Sequence, residues 1–250
     1  MTVDAEREAA QGSYAERFAE QYDDWFGFTA PTNDTVELLH GFASSEPVLE
    51  LGIGTGRVAL PLSARGVQVQ GVEASREMAA RLRSQPGGDR IVVTIGDFSE
   101  IPVDGSFSLV YIVAGTFFEL RTQEAQLDCF INAARRLASG GTFILDALLP
   151  EALNSPGVGN GRVIPTRNGD LVVRYRRVSR ATQHYDSHYM ITTDTCVRHI
   201  HVPFRYAGAG ELDLMARIAG LRLRQRYGSW AGTPLDDHCP YHVSVYELAD

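Results

Sequence analysis

Val48-Leu49-Glu50-Leu51-Gly52-Ile53-Gly54-Thr55-Gly56 joins a short apolar run to three alternating glycines. The run reads as a buried strand, and the glycines as a tight turn into a helix over about 56–65. Glycine at alternate positions lets the backbone bend sharply and approach a ligand with no Cβ in the way. The spacing is G-x-G-x-G rather than the G-x-G-x-x-G of dinucleotide-binding turns. A phosphate-binding P-loop would need a lysine after its last glycine, and the chain contains no lysine at all.

On either side of this turn, short apolar runs alternate with amphipathic helical stretches. Strands are predicted over 67–72, 91–95, 107–113 and 142–148. Helices are predicted over 75–82, with Ser75 as the cap, and over 123–137. Strands separated by helices pair in parallel, and right-handed crossovers place helices on both faces. The expected fold class is α/β, a doubly wound Rossmann-like sheet. After Pro150 the texture changes. Residues 154–161 form a link rich in Pro, Gly and Asn, and 172–176 and 189–204 are strand-like, which suggests an antiparallel insert. A helix over 209–219 stops at Gly220, and strands follow over 221–227 and 242–248. At the other end, Tyr14, Phe18, Tyr22 and Trp25 or Phe26 make an aromatic stripe on a helix over about 4–25. Asn33 or Asp34 would cap a second helix running to Phe42.

Composition narrows the chemistry. The 250 residues suit one α/β domain with an elaboration. Without lysine, a Schiff base is impossible. The net charge of -8 disfavours a nucleic-acid partner, although Arg174, Arg176, Arg177 and Arg180 cluster. Cys129, Cys196 and Cys239 are widely spaced and show no C-x-x-C, so neither a disulfide framework nor a zinc knuckle is indicated. No run of 18 apolar residues exists for a membrane span, and residues 1–10 are acidic and polar rather than a signal peptide. A cytoplasmic protein is the expectation.

Three strand ends carry the candidate site. Beside the glycine turn stand Glu73, 21 residues after Gly52, and Asp97 in Gly96-Asp97-Phe98. An acid after the second strand of a doubly wound sheet accepts hydrogen bonds from ribose hydroxyls. Asp97 has a plainer use as a helix cap, and Met78 as ordinary core.

These residues resemble the class I S-adenosylmethionine-dependent methyltransferases. The resemblance rests on Val48 through Arg57, on Gly71-Val72-Glu73-Ala74-Ser75 with Met78, on Gly96-Asp97-Phe98, and on Arg136-Leu137-Ala138-Ser139-Gly140-Gly141. It covers roughly 22–146, and the small bacterial enzymes that N-methylate natural products and amino sugars look most alike. The resemblance implies a seven-stranded sheet whose last strand is antiparallel, with an N-terminal helical cover and an antiparallel β insert after the fifth strand. It divides the chain into a helical cap (1–45), a cofactor-binding core (46–150), the insert (151–206) and a closing helix and strand pair (207–250). It also implies S-adenosylmethionine as cofactor. Glu50 with Gly52, Ile53, Gly54 and Gly56 would hold the methionine part, and Glu73 the ribose. Ala74 and Met78 would pack on the adenine, Asp97 and Phe98 would meet its edge, and Tyr22 and Val113 would complete the pocket. No metal is implied.

On the acceptor side the residues are less specific. Tyr14 and Tyr22 lie two helical turns apart on one face, and either could cover the cofactor and touch an acceptor. Gly115, Thr116, Phe117 and Glu119 follow the fourth strand, and Glu119 could act as a base or hold an ammonium group. Arg205, Tyr206, Trp230 and His238 are further substrate-side candidates. His199 and His201 would share a strand face about 7 Å apart, without a clear third metal ligand. The favoured expectation is methyl transfer to a small-molecule amine, with no nucleic acid or membrane partner and a homodimer through the insert. An O- or C-methyltransferase, a protein or RNA methyltransferase, and a cofactor sensor without turnover are the alternatives.

Overall fold

The computed structural model describes residues 19, 22–26, 32–153, 161–166 and 169–249. A short helix, α1 (Tyr22–Phe26), and α2 (Thr32–Phe42) lead into the alternating core. There β1 (Val48–Leu51), α3 (Ala59–Ala64), β2 (Val69–Glu73), α4 (Arg76–Ser84) and β3 (Val92–Ile95) follow one another. The core continues with β4 (Phe107–Ile112), α5 (Gln123–Arg136) and β5 (Leu137–Leu148). After α6 (Pro150–Leu153) comes the insert: β6 (Arg162–Ile164), β7 (Leu171–Ser179), β8 (His184–Thr192) and β9 (Val197–Arg205). Helix α7 (Ala209–Ile218) and strands β10 (Leu221–Tyr227) and β11 (Tyr241–Leu248) close the chain.

The main sheet has seven strands in the order β10-β11-β5-β4-β1-β2-β3. Strands β1 to β5 pair in parallel, and β11 runs antiparallel to both β5 and β10. The α/β fold with an antiparallel last strand is therefore as expected. Both β1 and β4 are buried along their whole length, because helices cover the two sheet faces. On one face Phe130 of α5 packs edge-on against Phe117, Phe143 and Tyr246, with centroids 5.1–5.5 Å apart. On the other, Val36, Leu39, Val58 and Leu62 cover Val48, Leu109 and Ile144. Strand order reverses between β1 and β4, and the crevice at their carboxyl ends is where a doubly wound sheet accommodates a ligand.

The insert is a separate antiparallel sheet in the order β6-β7-β8-β9. One of its faces carries Val172, Tyr189, Ile191, Ile200 and Val202, which pack with Ala19, Tyr22 and Met78 of the core. The strand-like stretch over 189–204 is in fact two strands. A turn divides them, with the Thr193 amide donating to the Cys196 carbonyl at 2.9 Å and Thr193 Oγ1 accepting from the Cys196 amide at 3.2 Å. Helix α2 begins at Thr32, so Asn33 and Asp34 lie in its first turn rather than before it. Ser75 does cap α4, its Oγ accepting from the Met78 amide at 3.2 Å. Tyr14 and most of the expected first helix lie outside the described residues.

Candidate active site

The glycine turn is held from three directions. Gly52, Gly54 and Gly56 have φ of +73°, +57° and +85°, a region that L side chains rarely adopt. No described atom lies within 4 Å of where a Cβ would stand at Gly54, so this turn faces open space. At Gly52 a Cβ would stand 2.7 Å from Thr116 Cγ2, which shows how closely the turn meets the loop after β4. From α1, Asp23 accepts a hydrogen bond from Thr55 Oγ1 at 2.7 Å. Arg57 donates to Thr32 Oγ1 at 3.2 Å.

Glu73 ends β2 with its carboxylate turned to the same place. Oε2 accepts from the Gly54 amide at 2.8 Å, and Oε1 from the Ser75 amide at 2.9 Å. Burial raises its pKa, and these amide bonds oppose the rise. Beneath the turn, Glu50 is buried and accepts from Tyr111 Oη at 3.0 Å. Burial pushes Glu50 up to about 8, against the pull of Tyr111 and Arg57. Asp97 is exposed at the end of β3, with Oδ1 accepting from the Ser99 amide at 2.7 Å. Phe98 and Met78 are buried beside it, and Ala74 is exposed. Ile53 and Val113 are buried, with Ile53 filling the space a Cβ would need at Gly71.

The loop after β4 contains a feature that the sequence reading missed. Asp146, at the end of β5, is buried and accepts from the Ala114 amide (3.1 Å), the Gly115 amide (2.8 Å) and Trp230 Nε1 (3.0 Å). These bonds hold Ala114 and Gly115 at φ of +63° and +71°. They set the direction of the short 3-10 helix Thr116–Glu119. Glu119 ends this short helix and is exposed. Desolvation, and then the charge of Glu73, push its carboxyl up to about 7. Tyr22 lies within electrostatic reach of the same groups. Burial pushes its hydroxyl up to about 12, with Arg57 pulling down and Glu119, Tyr189 and Glu73 pushing up. Tyr185 of the insert also senses Glu119.

Several expected substrate contacts also have partners within the protein. Phe117 is fully buried in the aromatic cluster, because the short helix turns it under the loop. Arg205 is buried in an ion pair with Glu211 at 2.7 Å and also donates to Gln126 and Gln183. Tyr206, next to it, is buried in the core. Trp230 is 2% exposed and spends its N–H on Asp146. His238 lies on the exposed loop between β10 and β11, with its amide donating to Asp236. Phe117, Arg205, Tyr206 and Trp230 are thus held by protein partners, and His238 stands on the surface. Gly115 and Thr116 stay at the cleft beside the glycine turn.

The histidine pair does have neighbours that the sequence did not reveal. His188 and Asp186 of β8 stand beside His201, one ligand atom from each lying within 4.8 Å of the others. His188 Nδ1 is 3.1 Å from His199 Nε2, and His201 Nε2 is 2.8 Å from Asp186 Oδ1. The ring planes are nearly parallel, at 3° between His188 and His199 and 24° between His188 and His201. The group forms a stacked polar face of the insert.

Comparison with known proteins agrees with this geometry. A family model described as a methyltransferase domain matches residues 48–141. The cypemycin N-terminal methyltransferase of a Streptomyces species is 30% identical over 225 residues, covering 88% of this chain and 91% of that protein. The crystallised CcbJ methyltransferase from Streptomyces caelestis superposes with a TM-score of 0.85 at 32% identity, over 95% of this chain and 98% of that one. CalS10, an amino pentose methyltransferase from Micromonospora echinaspora solved with its methyl donor bound, shares the fold with a TM-score of 0.63 at 18% identity, over 98% and 97%. The chain belongs to the S-adenosylmethionine-dependent methyltransferases.

Proposed function

We propose that this chain methylates the nitrogen of a small-molecule amine, a natural-product or nucleotide-linked amino-sugar acceptor. One observation carries the reading: Glu119 ends the short helix after β4, within electrostatic reach of Glu73, Tyr22 and Tyr185, with its carboxyl pushed up to about 7. An alkyl ammonium has no lone pair and must lose a proton before it can attack. A base whose pKa lies near neutrality suits that task. The names of two similar proteins point the same way, one acting on an N-terminus and the other on an amino pentose.

Bound S-adenosylmethionine supplies an activated methyl group whose leaving group is already positive. The protein's work is to position and to desolvate. Glu50 and the turn from Gly52 to Gly56 would hold the amino-acid tail, Glu73 the sugar hydroxyls, and Asp97 with Phe98 and Met78 the base. Tyr22, protonated at neutral pH, can donate from its hydroxyl to an acceptor. Glu119 takes the proton that leaves the nitrogen.

The test is the pH dependence of turnover with labelled methyl donor and a panel of amine and hydroxyl acceptors. Protonated Glu119 cannot accept, so activity on amines should fall as pH drops through about 7. Glu119→Gln should remove that limb and lower turnover by roughly a hundredfold. Equal rates and equal profiles in the two proteins, or methylation of hydroxyl acceptors alone, would refute the reading.

A further inference from the structure

We infer that Arg174 and Arg176 form an oxyanion subsite on the acceptor side of the cleft, so that the amine belongs to a molecule that also carries a phosphate or a carboxylate. This rests on the cleft's being the acceptor site, as proposed above. Side chains alternate along β7, and Val172 fixes the phase by being fully buried on the face that meets the core. Arg174 and Arg176 share that phase. They pair in register with Tyr189 and Ser187 of β8, both buried. The same face packs with Tyr22 and Met78, residues of the cofactor side. Arg177 follows immediately but pairs with Asp186, on the outer face.

Among the described residues the two guanidinium groups have no counter-charge. Neither forms an ion pair among the described residues, and the buried Nε atom of each has no hydrogen-bond partner. The Arg176 guanidinium carbon lies 5.5 Å over the ring of Tyr185, which in turn stacks on Phe204 at 4.8 Å. Burial and the nearby charges of Arg174 and Arg162 lower the pKa of Arg176. Buried arginine in a structural role is normally satisfied, as Arg205 is by Glu211, Gln126 and Gln183. Arg174 and Arg176 instead repel each other, an arrangement that costs stability until an anion enters. Their planar donor forks match the paired oxygens of a phosphate or carboxylate.

The experiment is calorimetric titration of the protein, loaded with S-adenosylhomocysteine, with inorganic phosphate in one arm and acetate in the other. The wild type should bind an anion, and the stronger arm identifies a phosphoryl or a carboxylate acceptor. The Arg174→Gln/Arg176→Gln double variant should lose about tenfold or more in anion affinity while its S-adenosylhomocysteine affinity is kept. Arg177→Gln should behave as wild type. If the double variant fails to bind S-adenosylhomocysteine, Arg176→Lys takes its place, because it keeps the charge and loses the fork; anion affinity should still fall. No anion binding by the wild type, or an equal loss in Arg177→Gln, would overturn the subsite. Failure of the amine reading would show in the Glu119 pH profile and not in this titration.

Discussion

Asp146 shows how one buried carboxylate can aim a loop. Its three donors come from the β4 loop and from Trp230, 84 positions away in the chain. Removing the indole N–H leaves that buried charge with fewer partners. Trp230→Phe should therefore lower unfolding stability by about 1–3 kcal/mol, measured by denaturant titration. A substrate-contact role would instead change acceptor KM at unchanged stability. Arg205 makes a similar case. Arg205→Met strands Glu211 and the two glutamines, and should cost about 3 kcal/mol in the same measurement while donor affinity is retained. The strand-end places of Glu50, Gly52, Gly54, Glu73 and Asp97 were legible in the sequence because each keeps a fixed spacing from the turn. Asp146 was not, because it reads as one polar residue in an apolar strand and its partners come from elsewhere.

At the scale of elements, the core strands were legible because each is an apolar run bounded by a turn. The division between β8 and β9 was missed because Thr193-Asp194-Thr195-Cys196 contains neither Gly nor Pro. Its turn is made by a threonine hydroxyl that accepts backbone bonds. Strand β11 carries its own pH dependence. His242 is fully buried, with Nδ1 2.9 Å from Ser244 Oγ, and burial followed by the charge of Arg226 lowers its pKa to about 4, against the opposing charge of Asp213. Its unfolded value is 6.5, so between 6.5 and 4 the unfolded chain binds the extra proton. Stability from this group is complete above about 6.5 and declines as pH falls toward 4, by about 3 kcal/mol in all. Denaturant midpoints measured across that window should drop in the wild type and drop less in His242→Gln.

For the whole molecule, sheet order explains why one half of the site could be read and the other could not. The reversal between β1 and β4 gathers the ends of β1, β2 and β3 at one edge, and those ends are close in sequence. On the proposed reading the acceptor half would draw on the β4 loop and the inner face of the insert, where alternation decides which arginines turn inward. In the sequence Arg174, Arg176 and Arg177 form one basic cluster; the pleat sends Arg177 to the opposite face. Among the described residues no helix is long and apolar enough to cross a membrane. The account depends most on the donor's place at the three strand ends. Calorimetric titration with S-adenosylhomocysteine should show one site in the wild type and affinity weaker by about tenfold or more in Asp97→Ala, whose exposed carboxylate can be removed with little effect on the fold. Gly54→Val, which places a side chain in the open turn, should abolish binding. Wild-type affinity in both variants would contradict the account.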